Sequence, residues 1–394
     1  MDTITRADQP KTRINPLSLL LMSGHICVDM VQGGIAAVIP FLVLQNGFLY
    51  AEATMLVFAS NIASAVIQPV FGWLGDKVAR PWLMALGVLL AGIGMAGIGL
   101  LSNYWMVVAA ALLSGIGNAM LHPEGGRLAY LVGGTNKAQS MSIFSVGGQI
   151  GFCIGPVITV AAVTAFGLAG MTIYLLLCLP IALVLLRFTK RFLSYGVRDS
   201  SCEAADGAQD RWGAFSLVLG ACSARSIVFY GITSFVPLIL VASFAVDESF
   251  ASSMITIFAA VGAVATIASG KAADFISVPR LMIGCFVVLV AALGIFLFSP
   301  WLVLSIGLLM VFAVCLNLFN PAAVALGQSF LPQHLGVASG LTFGVAVAVG
   351  GVAAPLLGLV GDAIGLTPVM LILAAIGVGG LGASLCLLRV SKNR

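Results

Sequence analysis

Two short runs of ionisable residues stand inside otherwise apolar sequence. The first is His25, Asp29 and Gln32, spaced i, i+4 and i+7. At about 100° per residue these fall within roughly 60° of arc, one polar stripe on an apolar helix. The second is Leu121-His122-Pro123-Glu124-Gly125-Gly126-Arg127, with Asn118 one turn earlier. Asn118 and His122 share a face, while Glu124 lies about 200° from His122 and can pair with Arg127 three residues on. Ionisable groups in such surroundings are expensive and point to function. Asp29 and Glu124 are candidate proton carriers, and Arg127 is the cation that either could hold. The bland alternatives are a structural Asp29 neutralised by Arg127, a self-neutralising Glu124–Arg127 pair, and a packed, hydrogen-bonded His122. Pro123 removes the bond to residue 119 and is expected to kink the segment.

A third feature is Arg225, the only Lys or Arg deep in the C-terminal half. It stands about 20 Å along its helix at 1.5 Å per residue. Its guanidinium suits a planar anion, which could be a substrate or Asp29 across the halves; snorkelling to the interface is the alternative. Tyr230 follows it, between Phe229 and Phe235. Gln149, Asn317 and Asn320 add polar groups to apolar helices. His25, Gln32, Asn118, His122, Gln149, Arg225, Tyr230, Asn317 and Asn320 are therefore the substrate-binding candidates.

The elements that position these residues follow from composition. The 394 residues are 60% hydrophobic and 8% charged, with a mean hydropathy of +1.13. Apolar runs of 18 or more residues recur along the chain, each able to cross about 30 Å of hydrocarbon. They are continuous, which excludes a β-barrel. The expectation is an all-α polytopic membrane protein with twelve transmembrane helices: 16–45, 53–74, 81–101, 104–131, 138–166, 168–189, 212–241, 249–271, 280–299, 301–328, 335–361 and 366–389. The first run is too long for a signal-peptide core and reads as a helix. Residues 1–15 form a tail, 16–189 an N-terminal six-helix half, 190–211 a polar linker and 212–394 a C-terminal half. The eight cysteines contain no C-x-x-C pair, so neither a metal site, a cofactor nor a disulfide framework is expected.

Lys and Arg set the orientation. With twelve spans, Lys77, Arg80, Lys137, Lys190, Arg191, Arg198, Arg211, Lys271, Arg280, Arg389, Lys392 and Arg394 fall on the side of the termini. The other side holds Glu52, Asp247, Glu248 and Asp362. Both termini are thus expected in the cytoplasm, with the chain in the cell membrane. The halves also repeat. Gly72 and Asp76 recur as Gly270 and Asp274, Pro40 as Pro237, Pro123 as Pro321 and Pro156 as Pro355, at offsets of 197 to 199. Two parallel repeats imply a pseudo-two-fold axis along the membrane normal and a substrate site between the halves near mid-membrane. The C-terminal copy lacks the charges of helix 4, so the N-terminal half reads as the energy-coupling half.

The loop Gly72-Trp73-Leu74-Gly75-Asp76-Lys77-Val78-Ala79-Arg80 resembles the G-x-L-x-D-[RK]-x-x-[RK] motif of the major facilitator superfamily. Gly24-His25-x3-Asp29-x2-Gln32-Gly33, with His122-Pro123-Glu124, Arg127, Ala138-Gln139-Ser140 and Val146-Gly147-Gly148, is similar to helices 1, 4 and 5 of the fosmidomycin-resistance family of exporters. The C-terminal half fits only the wider superfamily. The resemblance implies the superfamily's fold and a proton-driven antiporter that exports a small amphipathic or anionic compound. It implies a conformational latch at Gly72, Asp76 and Arg80; in the mirror loop Asp274 is kept but Arg280 comes two residues late. Gly151, Gly155 and Pro156 match part of an antiporter motif, while Thr159 and Val160 replace its closing glycines; close helix packing is the alternative reading. The rival within transport is proton symport of a small organic acid or sugar. An enzyme or receptor is disfavoured by the lack of HExxH, GxSxG and P-loop sequences. The expected partners are a small molecule, protons and the bilayer, with no nucleic acid, and the protein is expected to act as a monomer.

Overall fold

The structure is a computed structural model, and it describes residues 15–48, 50–195, 209–246 and 248–392. Among them, twelve segments are long and apolar enough to cross a membrane. In chain order they are α1 (Pro16–Asn46), α2 (Tyr50–Lys77), α3 (Trp82–Leu100), α4 (Tyr104–Val132), α5 (Lys137–Phe166) and α6 (Ile173–Arg187) in the N-terminal half. The C-terminal half has α7 (Trp212–Phe244), α8 (Glu248–Phe275), α9 (Val278–Leu297), α10 (Leu302–Leu318 continued by Asn320–Phe330), α11 (Leu335–Gly340, a π-turn at Leu341–Val345, then Ala346–Ile364) and α12 (Leu366–Lys392).

Local chemistry sets several ends. Asn15 accepts from the Leu17 N–H at 3.0 Å and Pro16 opens α1, while Asn103 accepts from the Met106 N–H at 3.3 Å to start α4. These side chains satisfy amides that a helix start leaves unpaired. Large apolar side chains such as Val157, Val303 and Phe298 face outward, as lipid contact requires.

Each half has its own apolar core. The halves meet through α2 against α11, α5 against α8 and α10, and α4 against α10 and α11. The α2–α11 and α5–α8 contacts are the same contact repeated. A Cβ at Gly72 would strike the Gly336 carbonyl of α11, and one at Gly270 would stand 2.7 Å from Gln139 Cα of α5. These backbone approaches lie at the end of the bundle that carries the linker, the linker end hereafter. Within the N-terminal half α1 and α5 are similarly close: a Cβ at Gly151 would sit 2.6 Å from the Ile26 carbonyl. The small residues of α5 thus serve close helix packing.

Three local features differ from the sequence expectation. Pro123 leaves α4 an uninterrupted α-helix, whereas its mirror Pro321 follows a break at Phe319. No sequence signal announced the π-turn in α11. Of the expected linker 190–211, residues 190–195 continue as helix with Phe192 fully buried, and Arg211 donates to the Val390 carbonyl at 3.3 Å. Residues 1–14 of the tail and 196–208 of the linker lie outside the described residues, as do Asp247 and the side chains of Pro40, Glu248, Pro355 and Asp362.

Candidate functional site

The polar stripe of α1 meets that of α4 inside the N-terminal half. Asp29 lies between two imidazoles: Oδ2 is 3.1 Å from His25 Nε2, and Oδ1 is 3.4 Å from His122 Nε2. All three are buried. Each ring is held from behind. His25 Nδ1 lies 2.7 Å from the Phe144 carbonyl of α5, and His122 Nδ1 lies 3.0 Å from the Asn118 carbonyl. A carbonyl only accepts, so both Nδ1 atoms carry hydrogen and donate. Both Nε2 atoms then face the carboxylate.

That arrangement fixes a proton count. A neutral imidazole with hydrogen on Nδ1 presents a lone pair at Nε2, and a carboxylate oxygen presents lone pairs too. Each Nε2···O contact is attractive only with a proton in it. One proton satisfies one contact and leaves the trio neutral; two satisfy both and leave it at +1. The trio also offers three ligand atoms within 4.8 Å of one another, a donor set that could hold a metal ion. The carboxylate gives a different oxygen to each imidazole, the geometry of two hydrogen bonds more than of one chelated ion. Sequence reading named these three residues without foreseeing that His122 would complete the set with Asp29.

Gly148 of α5 presses on the same contact. A Cβ there would stand 2.5 Å from Asp29 Oδ2 and 2.6 Å from His25 Nε2. Gln32 lies three residues beyond Asp29 on the same helix face, and is anchored elsewhere. Its amide donates to Asn61 Oδ1, and its carbonyl oxygen accepts from Ser60 Oγ at 3.1 Å and from Asn118 Nδ2 at 3.4 Å.

Glu124 and Arg127 form a buried bidentate pair: Nε donates to Oε2 at 2.9 Å and Nη2 to Oε1 at 2.8 Å. Arg127 is thus paired with Glu124, and Asp29 is partnered by the histidines. The pair packs against α2, where a Cβ at Gly75 would stand 2.8 Å from Glu124 Oε2. The next residue, Asp76, reaches across to α11. Its Oδ1 accepts from the Gly336 N–H at 2.5 Å and its Oδ2 from the Val337 N–H at 2.8 Å. A carboxylate on the first amides of a helix joins hydrogen bonds to the favourable end of the helix dipole. The mirror residue Asp274 is exposed and caps nothing among the described residues, and Arg80 forms no ion pair there. Among the described residues the fold repeats the close packing at both places and the carboxylate cap at one.

The second polar cluster joins the halves at mid-span. Gln149 of α5 donates to Thr266 Oγ1 of α8 at 2.6 Å and to Asn317 Oδ1 of α10 at 3.2 Å. Asn317 Oδ1 also accepts from Arg225 Nη2 at 2.9 Å, and Arg225 Nε donates to the Leu316 carbonyl at 2.7 Å. The guanidinium packs 4.9 Å from the Phe229 ring centroid. No carboxylate pairs with Arg225 among the described residues, so the pairing with Asp29 that the sequence left open is not formed here. Tyr230 packs edge-on against Phe229, with ring centroids 5.7 Å apart. Asn320 opens the second segment of α10, with no side-chain hydrogen bond to a described residue. Thr266, Gln328 and Asn61 went unselected in the sequence; each is a polar residue in an apolar span, Asn61 beside Ser60 and Gln328 beside Ser329, and that was their only signal. Gln328 bridges the halves, donating to the Gly126 carbonyl at 3.0 Å and to Ser339 Oγ at 2.6 Å.

The sequence profile of the Major Facilitator Superfamily matches residues 21–355. An uncharacterized MFS-type transporter of Bacillus subtilis strain 168, YfnC, is 28% identical over 388 residues, which cover 96% of this chain and 94% of that one. The fosmidomycin resistance protein of Escherichia coli K12 is 28% identical over 352 residues, covering 86% and 84%. Among solved structures, the E. coli fucose:proton symporter FucP superposes with a TM-score of 0.74 at 13% identity, over 94% of this chain and 98% of that one. That last likeness is one of fold.

The buried pair generates a stability prediction. Removing one partner of such a pair leaves an uncompensated buried charge and typically costs about 3–5 kcal/mol. Glu124→Gln should therefore lower the thermal unfolding midpoint of the detergent-purified protein sharply. Glu124→Leu combined with Arg127→Met should recover most of that loss. Equal destabilisation by the single and double changes would mean that the pair does not act as a unit.

Proposed function

The chain belongs to the major facilitator superfamily, and from that premise we propose that it is a proton-coupled secondary active transporter exporting a small amphipathic or anionic compound in exchange for protons. The observation that carries proton coupling is the Asp29 carboxylate facing two imidazoles whose Nδ1 atoms are committed to backbone carbonyls. The trio can change its proton load by one or two without breaking the bonds that orient it. Export is supported by the relative named for fosmidomycin resistance and by the similarity of α1, α4 and α5 to that family.

In this reading the substrate enters the space between the halves where Gln149, Asn317, Arg225 and Tyr230 lie. An anionic group would replace Asn317 Oδ1 as the acceptor of Arg225. Asn317 would then be free of one of its two donors, and the Gln149 bridge between the halves would be altered. The Asp76–α11 contact holds the linker end closed, and its release opens that end, a change of the hinge-and-rocking kind. Glu124 keeps Arg127 neutralised and serves as the second candidate proton carrier. The distribution of Lys and Arg supports a cytoplasmic linker end and cytoplasmic termini in the cell membrane. The superfamily's members are transporters, so a small molecule and the bilayer are the partners, and no enzymatic step is involved.

A specific observation favours a second reading, symport. A trio at +1 and Arg225 carry the same sign, so an anion between them would bind together with protons. Competition between proton and substrate gives antiport; cooperation gives symport.

Both are tested in proteoliposomes with an imposed pH gradient and fosmidomycin as the probe. Asp29→Asn should abolish gradient-driven movement while leaving gradient-free exchange measurable. Movement against the proton flow supports antiport, and movement along it supports symport. Coupling that survives Asp29→Asn would make Asp29 structural. Arg225→Ala should weaken anionic compounds more than neutral ones; an equal loss for both would assign Arg225 to packing.

A further inference from the structure

Phe343 belongs by sequence to α11 of the C-terminal half, yet its ring packs against the apolar core of the N-terminal half. Its centroid lies 5.9 Å from that of His122, 6.3 Å from His25 and 5.8 Å from Phe144. Phe144, whose carbonyl accepts from His25 Nδ1, thus also carries a ring against Phe343. Phe343 sits in the middle of the π-turn Leu341–Val345. A π-turn inserts an extra residue per turn and re-aims the side chains around it, and such turns recur at functional sites.

Phe343 also has a definite level in the bundle. On its linker-end side the halves are closed by further contacts. Gly126 meets the edge of its ring, where a Cβ would stand 3.0 Å from Phe343 Cε2. Gln328 bridges Gly126 and Ser339, a Cβ at Gly340 would lie 2.7 Å from the Gln68 carbonyl of α2, and Asp76 caps α11 at Gly336 and Val337. Its ring also meets the His25 and His122 rings of the trio. Along this chain of contacts an aromatic ring anchored on α11 comes between the linker-end contacts and the two imidazoles.

We propose that Phe343 is a seal over the His25–Asp29–His122 site, carried on α11 and lifted when Asp76 releases that helix. This rests on the proton-coupled reading of the site and extends it to the device that keeps protons from slipping through between substrates. The latch and the site are joined through one element. Asp76 holds the first turn of α11, and two turns later the π-turn sets Phe343 against both imidazoles. Rocking the halves apart at the linker end removes the cap and the ring together. Phe343 is a positioning residue in this scheme, since an aromatic ring neither takes nor gives a proton.

The test uses the full chain in proteoliposomes, with an entrapped pH-sensitive dye and no substrate. Phe343→Ala and Phe343→Val remove the ring, and Phe343→Tyr keeps it. Losing ring contacts of ordinary strength should raise substrate-free proton entry about tenfold in the Ala or Val protein, whichever purifies as a folded monodisperse species. Phe343→Tyr should remain as tight as the parent. Adding Asp29→Asn to the leaky protein should stop the leak, because the leak runs through the trio. A merely structural role for Phe343 would not produce a leak that depends on Asp29. A tight Phe343→Ala and Phe343→Val pair would overturn the seal while leaving the proton-coupled reading intact. A leak indifferent to Asp29→Asn would also overturn it, since the ring would then guard some other path. Failure of the proton reading itself is read separately, as gradient-driven transport that persists in Asp29→Asn alone.

Discussion

Two backbone carbonyls orient the buried His25–Asp29–His122 trio. Phe144 and Asn118 each accept from an Nδ1 atom and thereby decide which nitrogen of His25 and of His122 faces Asp29. Without those bonds each imidazole could turn its protonated nitrogen to the carboxylate and satisfy it permanently. With them, every contact to Asp29 needs a proton that is not already committed. The site is thus built to be incompletely satisfied when proton-poor, and a buried polar contact left unmade is costly. Both carbonyls belong to elements outside α1, so the proposed proton site exists only when α1, α4 and α5 are packed together. The close approach of α5 to α1 through its glycines is the condition for that packing.

The repeat explains where the asymmetry lies. Both halves use a small residue to bring a linker-end helix against the start of a helix in the other half, Gly72 to Gly336 and Gly270 to Gln139. Among the described residues only the first of these contacts is capped by a carboxylate. The ionisable trio, the buried Glu124–Arg127 pair and the Asp76 cap all involve the N-terminal half. The C-terminal half contributes Arg225, the amide of Asn317 and the aromatic ring of Phe343. The proposed division of labour is therefore between a half that carries charge and a half that binds and covers.

Most of the fold was legible because the bilayer imposes a simple rule on sequence. Apolar runs of sufficient length became helices within a few residues of the expected limits, and the landmarks at offsets of 197 to 199 fall in corresponding helices. Helical spacing also separated His122 from Glu124 correctly, since one faces Asp29 and the other pairs with Arg127. What spacing could not give was the choice among partners across helices. Arg127 could have served Asp29 or Glu124, and the three-residue separation on one helix won. Arg225 could have reached Asp29, but the Leu316 carbonyl and Asn317 were nearer. Phe343 was invisible for a different reason. A phenylalanine in an apolar helix looks like any other, and its role depends on a π-turn that the sequence does not mark.

The central claim is that His25 and His122 are fixed as Nδ1–H donors and share exchangeable protons with Asp29. The chain has three histidines, so nitrogen NMR of 15N-histidine-labelled protein, with His334 removed by substitution, reads it directly. The account predicts that both remaining rings keep hydrogen on Nδ1 across the titration, that the large pH-dependent shift falls on their Nε2 signals, and that the two transitions are linked and become independent in Asp29→Asn. An Nε2–H tautomer in either neutral ring, or transitions unchanged by Asp29→Asn, would contradict it.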